Sequence, residues 1–437
     1  MRLRRRRSLL LTAGIVLGCR EAPPAAAPAP FDGPNVLVLL PDSFRADRLG
    51  AVRNGAPLTP ILDHLASRAP RFTTTVASSG WTLPSLATLL AGRDALLHPA
   101  GREATPWMRP EAPILPEILG YYGYHTIAFY GYNLAAFPEE FTRGFAEVTS
   151  NVTAPAPGPA GHEVAEWLDT RATEPFFAFV HNVDLQWVGD GQARKGLDRT
   201  YAEERPLVGD TEATRRATAA YDETISRYDA SVGEILDAVA RRRFTRPTVV
   251  LFTSPHGIHL GEHGSWFHGT PFEACVRIPL IVADPRTPIT SPSISTMVQI
   301  EDITPTVLDL LDIPRDRRMT GRSLRPLLTG AAGYQEREVY IDNFPTNIAV
   351  RTPRFKAIRF PGPPVAQILD LATDPSESQP LSGRPAEVQQ LEGLLADWLA
   401  RKEEEASRLK DLEDPGLHSL KEALRERGYW PGVGGGE

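Results

Sequence analysis

Cysteine is almost missing from this 437-residue chain, occurring only at Cys19 and Cys275. That excludes a disulfide framework, so an apolar core has to supply the stability. Lysine is nearly as scarce, with five residues against 42 arginines, and the net charge is −7. No global basic field therefore marks the chain for nucleic acid. Apolar runs of the roughly 20 residues that a membrane-spanning helix requires are also absent. What is present in quantity is apolar residue of every kind, 42% of the chain, against an ordinary 23% charged. A large core is possible and disorder is not the default.

The first 19 residues, "MRLRRRRSLLLTAGIVLGC", join a basic start to a short apolar stretch, Leu9 to Leu17, and Gly18-Cys19. This is the layout of an export signal. "VLGC" resembles a bacterial lipobox, which implies lipidation of Cys19, and "RRSLL" resembles a twin-arginine signal. The expectation is an exported protein, periplasmic or membrane-anchored, that meets a membrane only through its N-terminal lipid. Residues 20–33 read as a flexible tether rich in Ala and Pro. With Cys19 acylated, Cys275 has no partner, and its apolar setting, "FEACVRIPLIV", suits a buried thiol.

From residue 34 to about 315, strand-like and helix-like segments alternate, within a domain expected over 34–335. "NVLVLLP", "PFFAFVHN" and "TVVLFTS" are continuous apolar runs, as in strands covered on both faces. Between them lie helical patterns such as "TPILDHLASRA", with Thr59 as a cap, "LPSLATLLAG", ended by Gly92, and a long amphipathic stretch ending at Arg242. The alternation predicts an α/β fold with a doubly wound, mostly parallel sheet. After residue 336 the pattern changes to short strands, "EVYIDN", "NIAVRTP", "FKAIRFP" and "QILDLATD", then a closing helix from Ala386. This predicts a smaller C-terminal antiparallel sheet plus helix over 336–437, with a frayed tail.

In such sheets ligands bind beyond the carboxyl ends of the strands. The residues at those ends are Asp42, His181 with Asp184, and Pro255-His256 within "TSPHGIHLGEHGSWFHG". Thr82 stands one turn before a helix, where free N–H groups favour an anion. Its hydroxyl suits either a helix cap or a nucleophile.

Taken together, these segments resemble the sulfatase family of the alkaline phosphatase superfamily, from residue 34 to about 402. "PNVLVLLPDSFRADRLG" is similar to its first metal-binding loop, "TPILDHLASRAPRFTTTVASSGWTLPSLATLLAGR" to its nucleophile segment, and "FFAFVHNVDLQW" to a third segment. "TSPHGIHLGEHGSWFHGTPFEACVRIPLIV" is similar to its most diagnostic stretch, and "QILDLATDPSESQPLSGRP" to its C-terminal Asp-Pro-x-Glu segment. The resemblance implies hydrolysis or transfer of a sulfate or phosphate ester, an anionic substrate, and metal assistance. It places Thr82 as nucleophile, His268 as acid or anion contact, Gln186 as substrate hydrogen bonder, and Asp42 and His256 as metal ligands.

Several positions depart from the family pattern. Thr82 replaces the Cys or Ser that is converted to formylglycine, Leu86 replaces an arginine or histidine, Gln186 a histidine, and Pro255 an aspartate. A divalent ion among hard ligands requires several carboxylates, and here Asp42 stands alone with His256 and the Ser43 hydroxyl. The expectation is one divalent metal at most (Ca, Mg or Zn), weakly held or absent. For zinc, His259 or His263 could join Asp42, or His263 could belong to an ordinary "GEHG" turn. The alternative to an enzyme is a catalytically inactive exported lipoprotein that binds an anionic ligand or protein. The oligomeric state is left open.

Overall fold

In a computed structural model of the protein, the described residues are 32–94, 113–131, 139–150, 161–186, 212–343, 347–360, 366–381 and 386–409. The signal segment with Cys19, most of the tether and the polar stretch 187–211 lie outside them.

β1 (Asn35–Pro41) is buried at every position because its two faces feed two separate cores. Val36, Val38 and Leu40 pack on one face; Leu37 and Leu39 pack on the other. Each such side chain withdrawn from water contributes about 1.5–3 kcal/mol. The chain then runs through α1 (Pro60–Ser67), β2 (Arg71–Val76), α2 (Thr82–Ala91), α3 (Leu115–Tyr121) and β3 (His125–Tyr130). β4 (Glu147–Ser150), α4 (Gly161–Thr170), β5 (Phe176–Asn182), the 31-residue α5 (Glu212–Arg242) and β6 (Thr248–Thr253) follow. Two short strands, β7 (His259–Leu260) and β8 (Trp266–Phe267), make a hairpin before β9 (Arg277–Ala283), β10 (Ser293–Ile294), β11 (Val298–Gln299) and α6 (Ile303–Leu310).

Among the described residues the main sheet has nine strands in the order β10-β2-β9-β6-β1-β5-β3-β4, with β11 also on β2. β1 pairs in parallel with β5 and β6, as β3 does with β4 and β5. β9 is the exception, running antiparallel to both β2 and β6. α2, α3 and α6 cover the face of Val36, and α1, α4 and α5 that of Leu37. This is the doubly wound α/β architecture that the alternation implied.

Helix ends show which local signals mattered. Gly92 closes α2 in the left-handed conformation, φ 61°, where a Cβ would be strained. Thr59 does not cap α1; its hydroxyl goes to Asp63, and Asp229 of α5 accepts the N–H groups of Ile61 and Leu62 instead.

The C-terminal sheet is an antiparallel meander of β12 (Val339–Asn343), β13 (Asn347–Arg351), β14 (Phe355–Arg359) and β15 (Gln367–Asp370). One face, with Ile341, Ala349 and Ile358, packs on Val76, Phe272 and Cys275 of the main body; the other takes Leu395 and Trp398 of α7 (Ala386–Leu409). Between sheet and body lies a buried charged group. The Lys356 ammonium donates to Glu377, at 2.7 Å, and to the Pro271 carbonyl, and it pairs with Glu273 at 2.7 Å. Arg351 holds Glu273 through two nitrogens, and the Glu273 N–H donates to Glu377. Each charge is compensated, as burial requires. Among the described residues, no helix is long and apolar enough to cross a membrane.

Candidate active site

Three adjacent strands, in the order β6-β1-β5, end side by side, so His256, Asp42 and His181 converge though they are far apart in sequence. The turn after β1 is tightly tied. The Asp42 N–H donates to the Asn182 carbonyl, and Ser43 is held at φ 64°. The Tyr221 hydroxyl of α5 bonds the Ser43 carbonyl at 2.6 Å and accepts from the Arg45 N–H. Ser254 links both loops, accepting from the Phe44 N–H and donating to the His256 carbonyl at 2.6 Å.

Thr82 enters from the opposite side, as the first residue of α2. Trp81 occupies the cap position, so the Thr82 hydroxyl is not spent on the helix end. It donates to Asp42 Oδ2 at 2.9 Å and lies 3.0 Å from His256 Nε2. His256 Nε2 stands 2.9 Å from Asp42 Oδ1, and its Nδ1 faces the Gly257 carbonyl at 2.7 Å. His181 Nε2 is 3.5 Å from Asp42 Oδ2. The loop before Thr82 is set by the C-terminal sheet: Asn343 of β12 accepts from the Ser79 hydroxyl and from the Gly80 N–H.

Electrostatically the pair is polarised in both directions. Burial works to raise the Asp42 carboxyl, but the charge of His256 and hydrogen bonds from His181 and His256 hold it well below the carboxylate range. Burial likewise works to lower His256; the Asp42 charge and hydrogen bond, with the Gly257 carbonyl, lift it above an ordinary histidine. His268 follows β8, with its ring centroid 4.5 Å from that of His256 and stacked on Phe267. Burial first, and then the charge of His256, push His268 well below its usual value.

The other residues named from sequence fall in different places. Gln186 ends a short 3₁₀ turn, Asp184–Gln186, after β5; its side chain lies outside the described residues. Leu86, where the family carries arginine or histidine, is buried in the core. His259 does not face Asp42: its Nε2 meets the Thr270 hydroxyl at 2.7 Å, and its Nδ1 is 3.8 Å from Glu262. Burial works to lower His259, but Cys275 and Glu262 raise it to about 9. Cys275 is buried and free, and although burial raises its thiol, the charge of His259 brings it below the ordinary value. His263 stacks flat on Phe272 in a left-handed turn, φ 56°. His181 was legible only as a polar strand end, with no spacing signal to tie it to Asp42.

A family metal would require further carboxylates around Asp42, and the described residues gather no such group there. Position 255 is proline, and both Asp42 oxygens already face hydrogen-bond partners. Among the described residues, no three His, Cys, Asp or Glu side chains are arranged to hold an ion.

The doubly wound, mostly parallel sheet, with a hydroxyl at a helix N-terminus beyond its carboxyl ends, is the alkaline phosphatase-like α/β fold shared with solved sulfatases. The sulfatase family model matches residues 34–313, and the model of the N-sulphoglucosamine sulphohydrolase C-terminal region matches residues 261–405. The chain belongs to the sulfatase family. It is 34% identical to choline-sulfatase of Rhizobium meliloti (strain 1021) over 183 residues, 40% of this chain and 35% of that protein. It is 28% identical to N-sulphoglucosamine sulphohydrolase of Homo sapiens over 374 residues, 74% of this chain and 68% of the human one. The chain thus spans about a third of the length of the first of these relatives. A solved 2-O GAG sulfatase matches its fold with a TM-score of 0.69 at 19% identity, covering 88% of this chain and 96% of the other.

Proposed function

We propose that this chain hydrolyses or transfers the sulfuryl or phosphoryl group of an anionic ester, with Thr82 as nucleophile. The observation that carries this is the Thr82 hydroxyl, 2.9 Å from the Asp42 carboxylate at the start of α2. In the step, Thr82 Oγ1 bonds to the sulfur or phosphorus as the ester bond to the alcohol oxygen breaks. The Thr82 proton passes to Asp42 Oδ2, and the leaving alkoxide takes a proton from solvent. Water or an acceptor alcohol then removes the group from Thr82. The first-turn N–H groups of α2 face the developing negative charge. His268, neutral at pH 7 by the direction of its shift, serves as a hydrogen-bond partner of the bound anion rather than as a strong acid. Asp42 is a weak base, held far below neutrality, so the reaction is expected to be slow.

The test is a panel of aryl sulfates, sulfated saccharides, phosphate mono- and diesters and phosphonates. Turnover is expected with at least one ester class and is expected to vanish in Thr82→Ala. Equal activity in that variant would assign it to a contaminant.

A second reading is favoured by burial. Asp42 and His256 have no exposed surface and Thr82 is 3% exposed. A non-catalytic family member that binds an anionic ligand or a protein fits such a closed site. It requires no turnover anywhere in the panel, with saturable binding of one of the same anions.

A further inference from the structure

We infer that the Asp42 site holds no divalent cation, because its carboxylate is engaged by His256 and Thr82 instead. This deepens the reading of the Thr82 site, but it is decided by binding and does not depend on turnover.

Among the described residues Asp42 is the carboxylate of the cluster, and both its oxygens are engaged. Oδ1 is 2.9 Å from His256 Nε2 and 3.4 Å from the Ser43 hydroxyl, which donates to it. Oδ2 accepts from Thr82 at 2.9 Å and faces His181 at 3.5 Å. Calcium takes about 6–8 oxygen ligands and magnesium about six, with several carboxylates offsetting the loss of water.

Each neighbouring ligand type is committed elsewhere. Asp184 accepts from the Asn182 side chain, and Glu262 accepts from Arg45 and from the Leu260 N–H. His259, which the sequence offered as a possible zinc ligand beside Asp42, is turned to Thr270. Pro255 is buried at the mouth of this loop and offers no ligand atom. For zinc, Asp42, His181 and His256 are not arranged around a common ion. A buried carboxylate with no metal must be neutralised by another route. The histidine that follows Pro255 provides it.

The experiment is elemental analysis of full-length protein purified without chelator, with thermal unfolding in calcium, magnesium, manganese or zinc and again in EDTA. Wild type is expected to carry well under one ion per chain, with the same unfolding temperature throughout. A stoichiometric ion, or a rise reversed by EDTA, overturns the inference. Pro255→Asp is expected to gain a rise of roughly 5 °C or more in saturating calcium. A folded Pro255→Asp that ignores calcium overturns the assignment to the missing carboxylate. Should that variant not fold, His256→Asn, which releases Asp42, is measured in its place with the same two outcomes. A wild type without turnover but blind to metals leaves this inference standing while removing the enzymatic one.

Discussion

His256 Nε2 lies 2.9 Å from Asp42 Oδ1, and neither side chain reaches solvent. The two charges compensate each other in a medium that would tolerate neither alone. Asp42→Asn is therefore expected to cost about 3–5 kcal/mol, because it leaves a buried imidazole facing an amide that cannot balance it. His256→Gln should cost a similar amount for the opposite reason. The double variant, with two neutral partners, is expected to recover much of the loss. Urea unfolding of the four proteins measures the coupling; additive costs would show that the pair is not a unit.

The parallel core of the fold was legible because burial on both faces leaves a mark. "NVLVLLP" has no polar alternation, and in the structure its residues feed two cores. The direction of β9 was not legible, since "RIPLIVA" reads the same whichever way it runs. Asp42 and His256 stood out as polar residues ending buried strands, and the shared sheet order brings them together. His181 carried the same mark, but only strand adjacency places it beside Asp42. Asn343 carried none. It reaches the Thr82 loop across 263 residues of sequence, from a sheet whose docking no local pattern encodes. For His259 the sequence left the partner open, because proximity to Pro255 says nothing of the Thr270 hydroxyl that takes its ring.

Glu301 offers a pH-dependent test away from the site. It sits in the turn before α6, buried, accepting from Arg337 and from the Thr320 hydroxyl. Burial, and then the charge of Asp94, raise its carboxyl from 4.5 to about 7, against the pull of Arg337. A raised carboxyl favours the protonated form in the folded state. Stability is thus fully present below 4.5 and is lost as pH rises toward 7. Glu301→Gln removes that loss. It is expected to be more stable than wild type at about pH 8 by on the order of 1 kcal/mol, with the gap closing near about pH 4. Urea unfolding at both pH values checks this. A Gln variant less stable at the higher pH would show that the Arg337 pair outweighs burial.

Gly80 makes the closest approach in the loop that presents Thr82. A Cβ there would stand 2.4 Å from the Thr270 carbonyl oxygen and 3.0 Å from its nitrogen, both backbone atoms that cannot swing aside. The same residue is held on two further sides. Its N–H donates to Asn343 at 2.6 Å, and its carbonyl accepts from the Gly269 N–H at 2.7 Å. A methyl group must therefore push the Thr82 loop away from the His268–Thr270 segment. A displacement of about 1 Å in a reacting group costs about 10²-fold in rate. Gly80→Ala is thus expected to lower kcat/KM by about that factor, with a lower unfolding temperature, while far-UV circular dichroism stays unchanged. The temperature reads the contact even without a substrate. If both quantities match wild type, the two loops are not in rigid contact, and the placement of the Thr82 loop against the His268–Thr270 segment falls with it.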